Sequence, residues 1–273
     1  MLRARPKKSL GQHWLADRRV VKRIADAADI APEDTVIEVG PGRGALTDEL
    51  AKRASRLIAV EVDPTLAVSL TEKHHGDANV TVIEGDVLEM TAEDILNRGD
   101  GGLPYVVVGN LPYFIGSAIV RKFLQAPIKP KRLIVMLQSE VAERIAAAPG
   151  KMSYLSVEMQ VMAETKLLFR IPAKAFKPPP KVQSAVVRLD VRDSPDVEVD
   201  DMAAYLRVVA AGFAAPRKRL RNSLAVGLRI KGPDAAAILT DAGVDGDQRP
   251  QMLTLENWRD VYFAARRGER TDE

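Results

Sequence analysis

The residues with the clearest capacity for chemistry are Asn110, Leu111, Pro112 and Tyr113, which follow the apolar run 105–109. The side-chain oxygen of Asn110 and the backbone carbonyls beside the proline can accept hydrogen bonds from an exocyclic amine. The Tyr113 ring can stack on the base that carries the amine. A strand ending in Asn and Pro is by itself typical of a turn. The tetrapeptide therefore predicts an aromatic-amine site only if other elements support it.

A glycine loop between a predicted strand and a helix start, at residues 35–47, gives the first support. Glycine permits close backbone approach to a ligand, and a helix N-terminus favours a carboxylate or phosphate. The dinucleotide-binding pattern G-x-G-x-x-G is matched only through a permissive final Ala45. The acid Glu38, two residues before Gly40, and Pro41 within the loop instead resemble motif I of class I methyltransferases.

Two further acids stand at the predicted ends of the next strands. Glu61 closes the run 57–61, about 20 residues after the loop, where an acid can hold two ribose hydroxyls. Asp86 follows the run 80–84, in the turn that faces the adenine ring in those methyltransferases. With Glu38, three acids at successive strand ends predict an S-adenosylmethionine (SAM) site. The tetrapeptide at 110–113, placed downstream of that site, then predicts an adenine-N6 methyltransferase.

The elements that must position these residues alternate between β-rich and helical patterns from residue 35 to 191. This alternation predicts an α/β fold with a doubly wound, mostly parallel sheet. The last two strands are joined only by loop 172–181, which predicts an antiparallel hairpin at the sheet edge. A boundary near 192–200 and helical patterns beyond it predict two domains, 1–192 and a small all-helical 193–273. The predicted strands are 35–39, 57–61, 80–84, 105–109, 133–137, 166–171 and 184–191, and the predicted helices are 45–53, 66–73, 117–124, 140–147, 202–213, 218–226, 233–242 and 255–266.

Composition excludes several classes of protein. The 273 residues are 46% hydrophobic and 28% charged, as in a globular protein with a full core. There are no cysteines and only three histidines, so disulfides and thiolate zinc sites are excluded and no metal is expected. No apolar run approaches the roughly 20 residues of a membrane span, and no apolar segment follows the basic N-terminus as in a secretory signal. We therefore expect a cytoplasmic protein without membrane association.

The distribution of positive charge indicates a polyanionic partner more clearly than the net charge of +3 does. Basic clusters match phosphate backbones, although a single cluster is also typical of a solvated helix face. The candidate RNA-binding residues lie in two clusters: Lys7 and Lys8, then Arg217, Lys218, Arg219 and Arg221.

Three long segments carry a family resemblance. Residues 8–15 resemble K-x-L-G-Q-N-F-L, residues 176–189 resemble F-x-P-x-P-K-V-x-S-A-V-V-R-L, and residues 213–224 resemble F-x-x-R-R-K-T-L-R-N-S-L. With the tetrapeptide at 110–113, these segments are similar to the ribosomal RNA adenine dimethyltransferases. Within that family the bacterial branch dimethylates two adjacent adenosines in the 3′-terminal hairpin of small-subunit (16S) rRNA. The resemblance covers nearly the whole chain.

Three departures from the family pattern stand out. His13 and Trp14 replace Asn and Phe, so we expect position 13 to reach the cofactor through its backbone. Phe114 and Gly116 replace Asn and Ser, and Phe114 is expected to alter the wall of the base pocket. Pro216 replaces an Arg, which removes one positive charge, and is expected to start the basic helix.

The resemblance implies roles for named residues and a partner. SAM would be the methyl donor, with no metal, and the partner would be the small ribosomal subunit, met by a monomer whose C-terminal domain binds RNA. Tyr113 would stack on one face of the target base, and Phe176 is a candidate for the other face, with packing in the core as the equal alternative for an aromatic before a proline run. The implied cofactor-binding residues are His13, Leu15, Gly40, Glu61, Asp86 and Asn110, and the implied catalytic residues are Asn110, Leu111, Pro112, Tyr113 and Phe176.

Other functions remain open at this point. The related erythromycin-resistance methyltransferases act on large-subunit rRNA and share the glycine loop, but they lack the Arg-Lys-x-Leu-Arg-Asn helix found at 217–222. Adenine in DNA is a further possible substrate. A non-catalytic ribosome assembly factor would keep the fold and lose turnover. A nicotinamide-dependent oxidoreductase ranks last, because no proton relay is evident near the cofactor loop.

Overall fold

The computed structural model describes residues 13–270, which divide into two compact units. The sheet unit comprises the described residues up to Glu143 together with Glu164–Val191. The helical unit comprises Arg144–Ala163 together with the described residues from Arg192 onward. The segment 144–163 thus groups with the C-terminal helices, whereas the predicted boundary assigned it to the first domain.

A seven-stranded mixed sheet lies at the centre of the sheet unit, in the order β4-β3-β2-β5-β6-β9-β7. Strands β2 to β6 run parallel, as their continuous apolar sequences predict for a sheet covered on both faces. Strand β9 is antiparallel to β6 and separates it from β7 at the edge. The predicted α/β fold with a mostly parallel sheet is therefore confirmed. The strands are β1 (Trp14–Leu15), β2 (Thr35–Val39), β3 (Arg56–Glu61), β4 (Val80–Glu84), β5 (Tyr105–Asn110), β6 (Arg132–Gln138), β7 (Ala163–Ile171), β8 (Phe176–Lys177) and β9 (Ser184–Val191).

Eight of the described helices overlap predicted ones, whereas the helices at 18–28, 92–98 and 154–160 were not predicted. Two of the predicted helices differ from the observed ones at their starts. The predicted helix 45–53 is only one turn, Thr47–Leu50, because the glycine loop extends to Gly44 with a positive φ of 76°. Helix α9 begins at Leu220 rather than at 218, so Pro216 does not start it and lies in the preceding turn. The helices are α1 (Arg18–Ala28), α2 (Thr47–Leu50), α3 (Pro64–Lys73), α4 (Ala92–Arg98), α5 (Gly116–Gln125), α6 (Ser139–Ile145), α7 (Tyr154–Gln160), α8 (Met202–Gly212), α9 (Leu220–Leu228), α10 (Gly232–Asp241) and α11 (Leu255–Arg270).

Aromatic residues fill the core of the helical unit. Trp258, Tyr205 and Tyr262 are fully buried there. Helix α8 approaches α11 closely at Gly212, where a Cβ atom would lie 2.2 Å from the Trp258 ring. Such burial gives these helices an apolar core of their own. Among residues 13–270, no helix is long and apolar enough to cross a membrane.

Candidate active site

Parallel strands bring the predicted cofactor residues together at the carboxyl ends of the strands. We call this side of the sheet the sheet edge. Val39 of β2 is in register with Val60 of β3 and with Gly109 of β5. The carboxyl ends of these strands therefore coincide, and the residues that follow them share one crevice, as expected for open α/β sheets. Gly40, Glu61 and Asn110 meet there although they come from three separate strands.

The glycine loop approaches both the end of β5 and strand β1. Gly40 and Gly42 have φ values of 69° and 58°, a backbone conformation that favours glycine. A Cβ atom on Gly40 would lie 3.4 Å from the Asn110 carbonyl oxygen, and one on Gly42 would lie 3.0 Å from the Trp14 ring. The Arg43 guanidinium stacks 3.8 Å from the centre of the Trp14 ring. The loop is thus a backbone cradle with little room for side chains.

Glu61 anchors that loop. Its Oε2 accepts a hydrogen bond of 2.9 Å from the Gly42 N–H, and its Oε1 accepts one of 3.0 Å from the Asp63 N–H. Burial raises the pKa of the Glu61 carboxyl, and the backbone N–H groups of Asp63 and Gly42 act in the opposite direction. A carboxylate has about four acceptor positions, so Glu61 can also accept hydrogen bonds from two ribose hydroxyls.

Glu38 is a second buried acid at this edge, only 1% exposed. Desolvation by burial raises the pKa of its carboxyl to about 8. Its Oε2 has no hydrogen-bond partner among the described residues, and the side chain lines a cavity formed with Gly40 and Leu15. An unsatisfied buried carboxyl oxygen requires a donor. The ammonium group of a bound amino-acid moiety would supply one.

Strand β1 lies against the glycine loop through Trp14. It pairs with β8, where Trp14 lies opposite Lys177 and Leu15 opposite Phe176. The backbone carbonyl of His13 accepts a hydrogen bond of 2.9 Å from Nδ2 of Asn110. His13 therefore contacts Asn110 through its backbone, and its contact with the cofactor stays a prediction.

The His13 side chain makes two further contacts. Its Nδ1 lies 2.9 Å from the carbonyl oxygen of Pro178, where it can only donate. Its ring is nearly parallel to that of Tyr113, with ring centres 5.8 Å apart and an angle of 25° between the planes. The Tyr113 hydroxyl shares a 2.6 Å hydrogen bond with Ser184 Oγ, which fixes the orientation of the tyrosine ring.

The two backbone carbonyls of the tetrapeptide that are predicted acceptors differ in whether they already accept a hydrogen bond. The Pro112 carbonyl already accepts a hydrogen bond of 3.2 Å from the Ile115 N–H. The Leu111 side chain is buried, and its N–H donates to the Met136 carbonyl at 3.2 Å. Of the two predicted backbone acceptors, the carbonyl of Leu111 is therefore the less committed.

Two predicted site residues lie outside the cavities. Phe176 is 2% exposed and packs in the apolar core with Leu15, because the β1–β8 pairing directs both side chains inward. The Phe176 ring is therefore not exposed for the expected stacking on a base. Asp86 follows β4, whose Glu84 is aligned with Glu61, and its Oδ1 accepts from the Leu88 N–H at 2.8 Å. Its contact with a cofactor stays a prediction.

Eight of the predicted residues do meet at two adjoining cavities, which share Trp14, Gly40, Gly42 and Asn110. Trp14 was noted in the sequence only as a departure from the family pattern, and Val62 was missed because an exposed valine after a strand carries no chemical signal. Phe114 is 64% exposed and does not line either cavity. The predicted residues at these cavities are His13, Leu15, Gly40, Glu61, Asn110, Leu111, Pro112 and Tyr113.

The residues present fit SAM. The glycine cradle accommodates a backbone-bound moiety, Glu61 has acceptor capacity for a ribose, and the unpartnered oxygen of Glu38 suits an ammonium group. Within the described part of the chain, no group of three or more His, Cys, Asp or Glu residues could hold a metal ion. In the helical unit, the basic residues Arg217 to Arg221 lie at the start of α9, and Lys7 and Lys8 lie outside the described residues.

Comparison with known proteins decides the family. The sequence model of the family described as "Ribosomal RNA adenine dimethylase" matches residues 3–260. The chain belongs to this family. Ribosomal RNA adenine dimethylases are SAM-dependent methyltransferases, which confirms the predicted enzyme class and implies SAM as the methyl donor.

Relatives of this dimethylase extend over most of its length. A curated "Ribosomal RNA small subunit methyltransferase A" from Dehalococcoides mccartyi is 43% identical, covering 93% of this chain and 86% of the relative. A protein of the same name from Bacillus cereus is 41% identical, covering 92% and 88%. Among solved structures, the 23S rRNA methyltransferase ErmE is 33% identical with a TM-score of 0.73, covering 92% and 98%. A dimethyladenosine transferase from Plasmodium falciparum has a TM-score of 0.79 at 20% identity, covering 94% and 98%, and shares the fold.

Proposed function

We propose that this dimethylase transfers methyl groups from SAM to N6 of two adjacent adenosines in the 3′-terminal hairpin of small-subunit (16S) rRNA, giving N6,N6-dimethyladenosine during small-subunit biogenesis. The observation that carries the chemistry is the hydrogen bond from Asn110 Nδ2 to the His13 carbonyl. It uses the donor end of the amide and leaves Oδ1 as the acceptor. An acceptor is what an exocyclic amine requires.

Binding of the target base depends on Tyr113. A base cannot be methylated while stacked in a helix, so the adenosine is flipped out or taken from an unpaired loop. The Tyr113 ring, held by Ser184, would stack on it, which is worth about 1–3 kcal/mol per base. The ring of His13 lies against Tyr113 at 5.8 Å and would have to separate from it for a base to enter between them.

Positioning of the amine depends on two acceptors. The N–H groups of N6 would donate to Asn110 Oδ1 and to the Leu111 carbonyl, with the Pro112 carbonyl as the alternative. These hydrogen bonds draw the nitrogen lone pair out of conjugation with the ring, and the same acceptors stabilise the positive charge that develops on N6. SAM, when bound, supplies the electrophilic methyl group. No general base is needed before transfer, because N6 loses its proton after it has become cationic.

Cofactor binding would use the other side of the same edge. His13 and Leu15 would cover the cofactor, Gly40 would contact its amino-acid part, Glu61 would bind the ribose hydroxyls, and Asp86 would accept from the adenine amine. The cavity lining supports all of these except Asp86, which is supported only by the alignment of β4 with β3.

The choice of small subunit rests on relatives of 41–43% identity that carry that name. The second candidate substrate is large-subunit rRNA, because the ErmE structure is 33% identical over 92% of the chain. The residues at 217–222 favour the small subunit, since the erythromycin-resistance enzymes lack that sequence. We further propose that the enzyme acts as a monomer in the cytoplasm, where ribosomes assemble.

The test is methyl transfer from labelled SAM to unmethylated small subunits, with large subunits and the Asn110→Ala variant in parallel. We expect N6,N6-dimethyladenosine in small subunits only, and none with Asn110→Ala. Label confined to large subunits would refute the small-subunit assignment. SAM binding without any transfer would leave a non-catalytic assembly factor as the better description.

A further inference from the structure

A concavity of about 720 Å³ in the helical unit lies beside the first turn of α9. Four of its lining side chains are cations: Arg217, Lys218, Arg219 and Arg249. Three of them belong to the basic cluster evident in the sequence. Arg249 does not, because it lies about 30 residues further along, between Gln248 and Pro250 and with no basic neighbour. We call this surface the basic concavity.

Backbone hydrogen bonds bring the two segments together. The Leu220 N–H donates to the Gln248 carbonyl at 2.7 Å, and the Arg221 N–H donates to the Gly246 carbonyl at 3.1 Å. The loop 246–249 is therefore held against the start of α9. These bonds satisfy the first N–H groups of the helix, so any anion in the concavity would be bound by side chains.

One carboxylate opposes the cations. Oδ1 of Asp247 lies 3.1 Å from Nη1 of Arg219 and 2.7 Å from Nη1 of Arg221. All three side chains are about half exposed, so these ion pairs are weak and readily exchanged. Within residues 13–267, no ion pair is formed by Arg217, Lys218 or Arg249.

The rest of the lining is suited to a nucleotide. Val226 is 56% exposed and forms an apolar wall with Ala225. Asn222, also exposed, offers an amide with both donors and an acceptor. Cations for phosphate, an apolar wall for a sugar or base face, and an amide for a base edge are the elements of single-stranded RNA recognition.

We propose that Asp247 is an internal counter-ion of the basic concavity, which a phosphate of unpaired ribosomal RNA displaces from Arg219 and Arg221. The proposal rests on the proposed function in taking ribosomal RNA as the substrate. It adds Arg249 and Asn222 to the predicted RNA-binding residues. It also implies that Asp247 lowers the affinity of the basic concavity for RNA. Asp247 keeps two arginines oriented in the absence of RNA, and its negative charge competes with the incoming phosphate.

The test compares two matched variants, Asp247→Asn and Asp241→Asn. Asp241 is an exposed carboxylate of the same unit that pairs with Arg267 and does not line the concavity. Both variants add one positive charge and release arginine from a carboxylate. Binding to unmethylated small subunits and to large subunits is measured across a salt series, without a methyl donor.

We expect Asp247→Asn to tighten binding about two- to fivefold near 0.15 M salt. The slope of log affinity against log salt should become more negative by up to about one unit. Asp241→Asn should change neither quantity. Unchanged or weaker binding by Asp247→Asn, or equal tightening by both variants, would overturn the role of Asp247.

Arg249→Gln gives an independent arm, which stays informative if Asp247→Asn impairs folding. We expect weaker binding and a slope reduced by about one unit. An unchanged slope would remove Arg249 from the site. Because these measurements contain no methyl donor, failure of methyl transfer leaves them unaffected, and the comparison of subunits shows separately which particle is bound.

Discussion

The two units place their functional side chains in opposite environments. At the sheet edge, Glu38 and Glu61 are buried, and the Asn110 amide is bonded to a backbone carbonyl. In the basic concavity, the cations are exposed, and Asp247 shares its negative charge between Arg219 of the lining and the neighbouring Arg221. The sheet edge therefore depends on fixed geometry, and the basic concavity depends on the number of charges. Substitutions in the first should have large, salt-independent effects, and those in the second should have small, salt-dependent ones.

The sharpest test of the geometric side is Asn110→Ala. It removes the proposed N6 acceptor together with the bond to the His13 carbonyl. We expect kcat for methyl transfer to fall by about 100-fold or more, the size seen when one transition-state hydrogen-bonding group is removed. RNA affinity and its salt slope should be unchanged.

The matched control for this substitution is Asn97→Ala, in α4, where the asparagine is exposed. Its activity should equal that of the wild type. A change in the salt slope with Asn110→Ala would mean that the sheet edge contributes to phosphate binding, and the contrast between the two units would fail.

Glu38→Gln tests whether burial, rather than pairing with a cation, determines the pKa of the Glu38 carboxyl. Thr47 and Lys73 lower the pKa of the Glu38 carboxyl and Glu61 and Asp48 raise it, but desolvation dominates and brings it to about 8. The folded protein therefore keeps a proton that the unfolded chain loses above its ordinary value of 4.5. The contribution of Glu38 to stability is full below that value and is lost as the pH rises through about 8.

Glutamine imitates the protonated side chain, so the variant should match the wild type near pH 5 and exceed it near pH 9. The expected difference in the free energy of unfolding at the higher pH is about 4 kcal/mol. Thermal unfolding at both pH values, without cofactor, measures it. Equal destabilisation of the variant at the two pH values would show that Glu38 is ionised and partnered in the folded protein.

Two substitutions of Tyr113 distinguish the contribution of ring stacking from that of the hydroxyl hydrogen bond. Tyr113→Ala should lower kcat/KM by about 10- to 100-fold, because base–aromatic stacking is worth about 1–3 kcal/mol. Tyr113→Phe keeps the ring and loses only the bond to Ser184, so its loss should be below about tenfold. Equal losses in the two variants would assign the role to the hydroxyl rather than to the ring.

The sequence predicted best what depends on local pattern. Continuous apolar runs located the parallel strands, and the polar residues at their ends then had to share one edge, which brought Gly40, Glu61 and Asn110 together. The glycine loop was equally easy to predict from the sequence, because backbone positions with positive φ values favour glycine. The helix predicted after them was too long, since apolar periodicity does not show where a loop of three glycines ends.

Contacts between distant segments were not predictable in this way. Phe176 precedes a proline-rich loop that matches a family segment, but its pairing opposite Leu15 buries the ring. Arg249 has no basic neighbours in the sequence and joins the basic concavity only through the backbone bonds of loop 246–249 to α9. Both depend on tertiary pairing, which residue spacing does not encode.

The smallest predicted effects test the charge-dependent side of the comparison. Arg217→Gln and Lys218→Gln each remove one cation from the basic concavity, and Lys231→Gln removes an exposed one at the start of α10, outside it. Each of the first two should flatten the salt dependence of RNA binding by about one unit. The double variant should flatten it by about two units, since the slope counts the phosphates neutralised, whereas Lys231→Gln should leave the slope unchanged. With saturating RNA, kcat should stay at the wild-type value in all three, because no group at the sheet edge has moved. A fall in kcat with the slope preserved would show that these cations position the RNA rather than attract it.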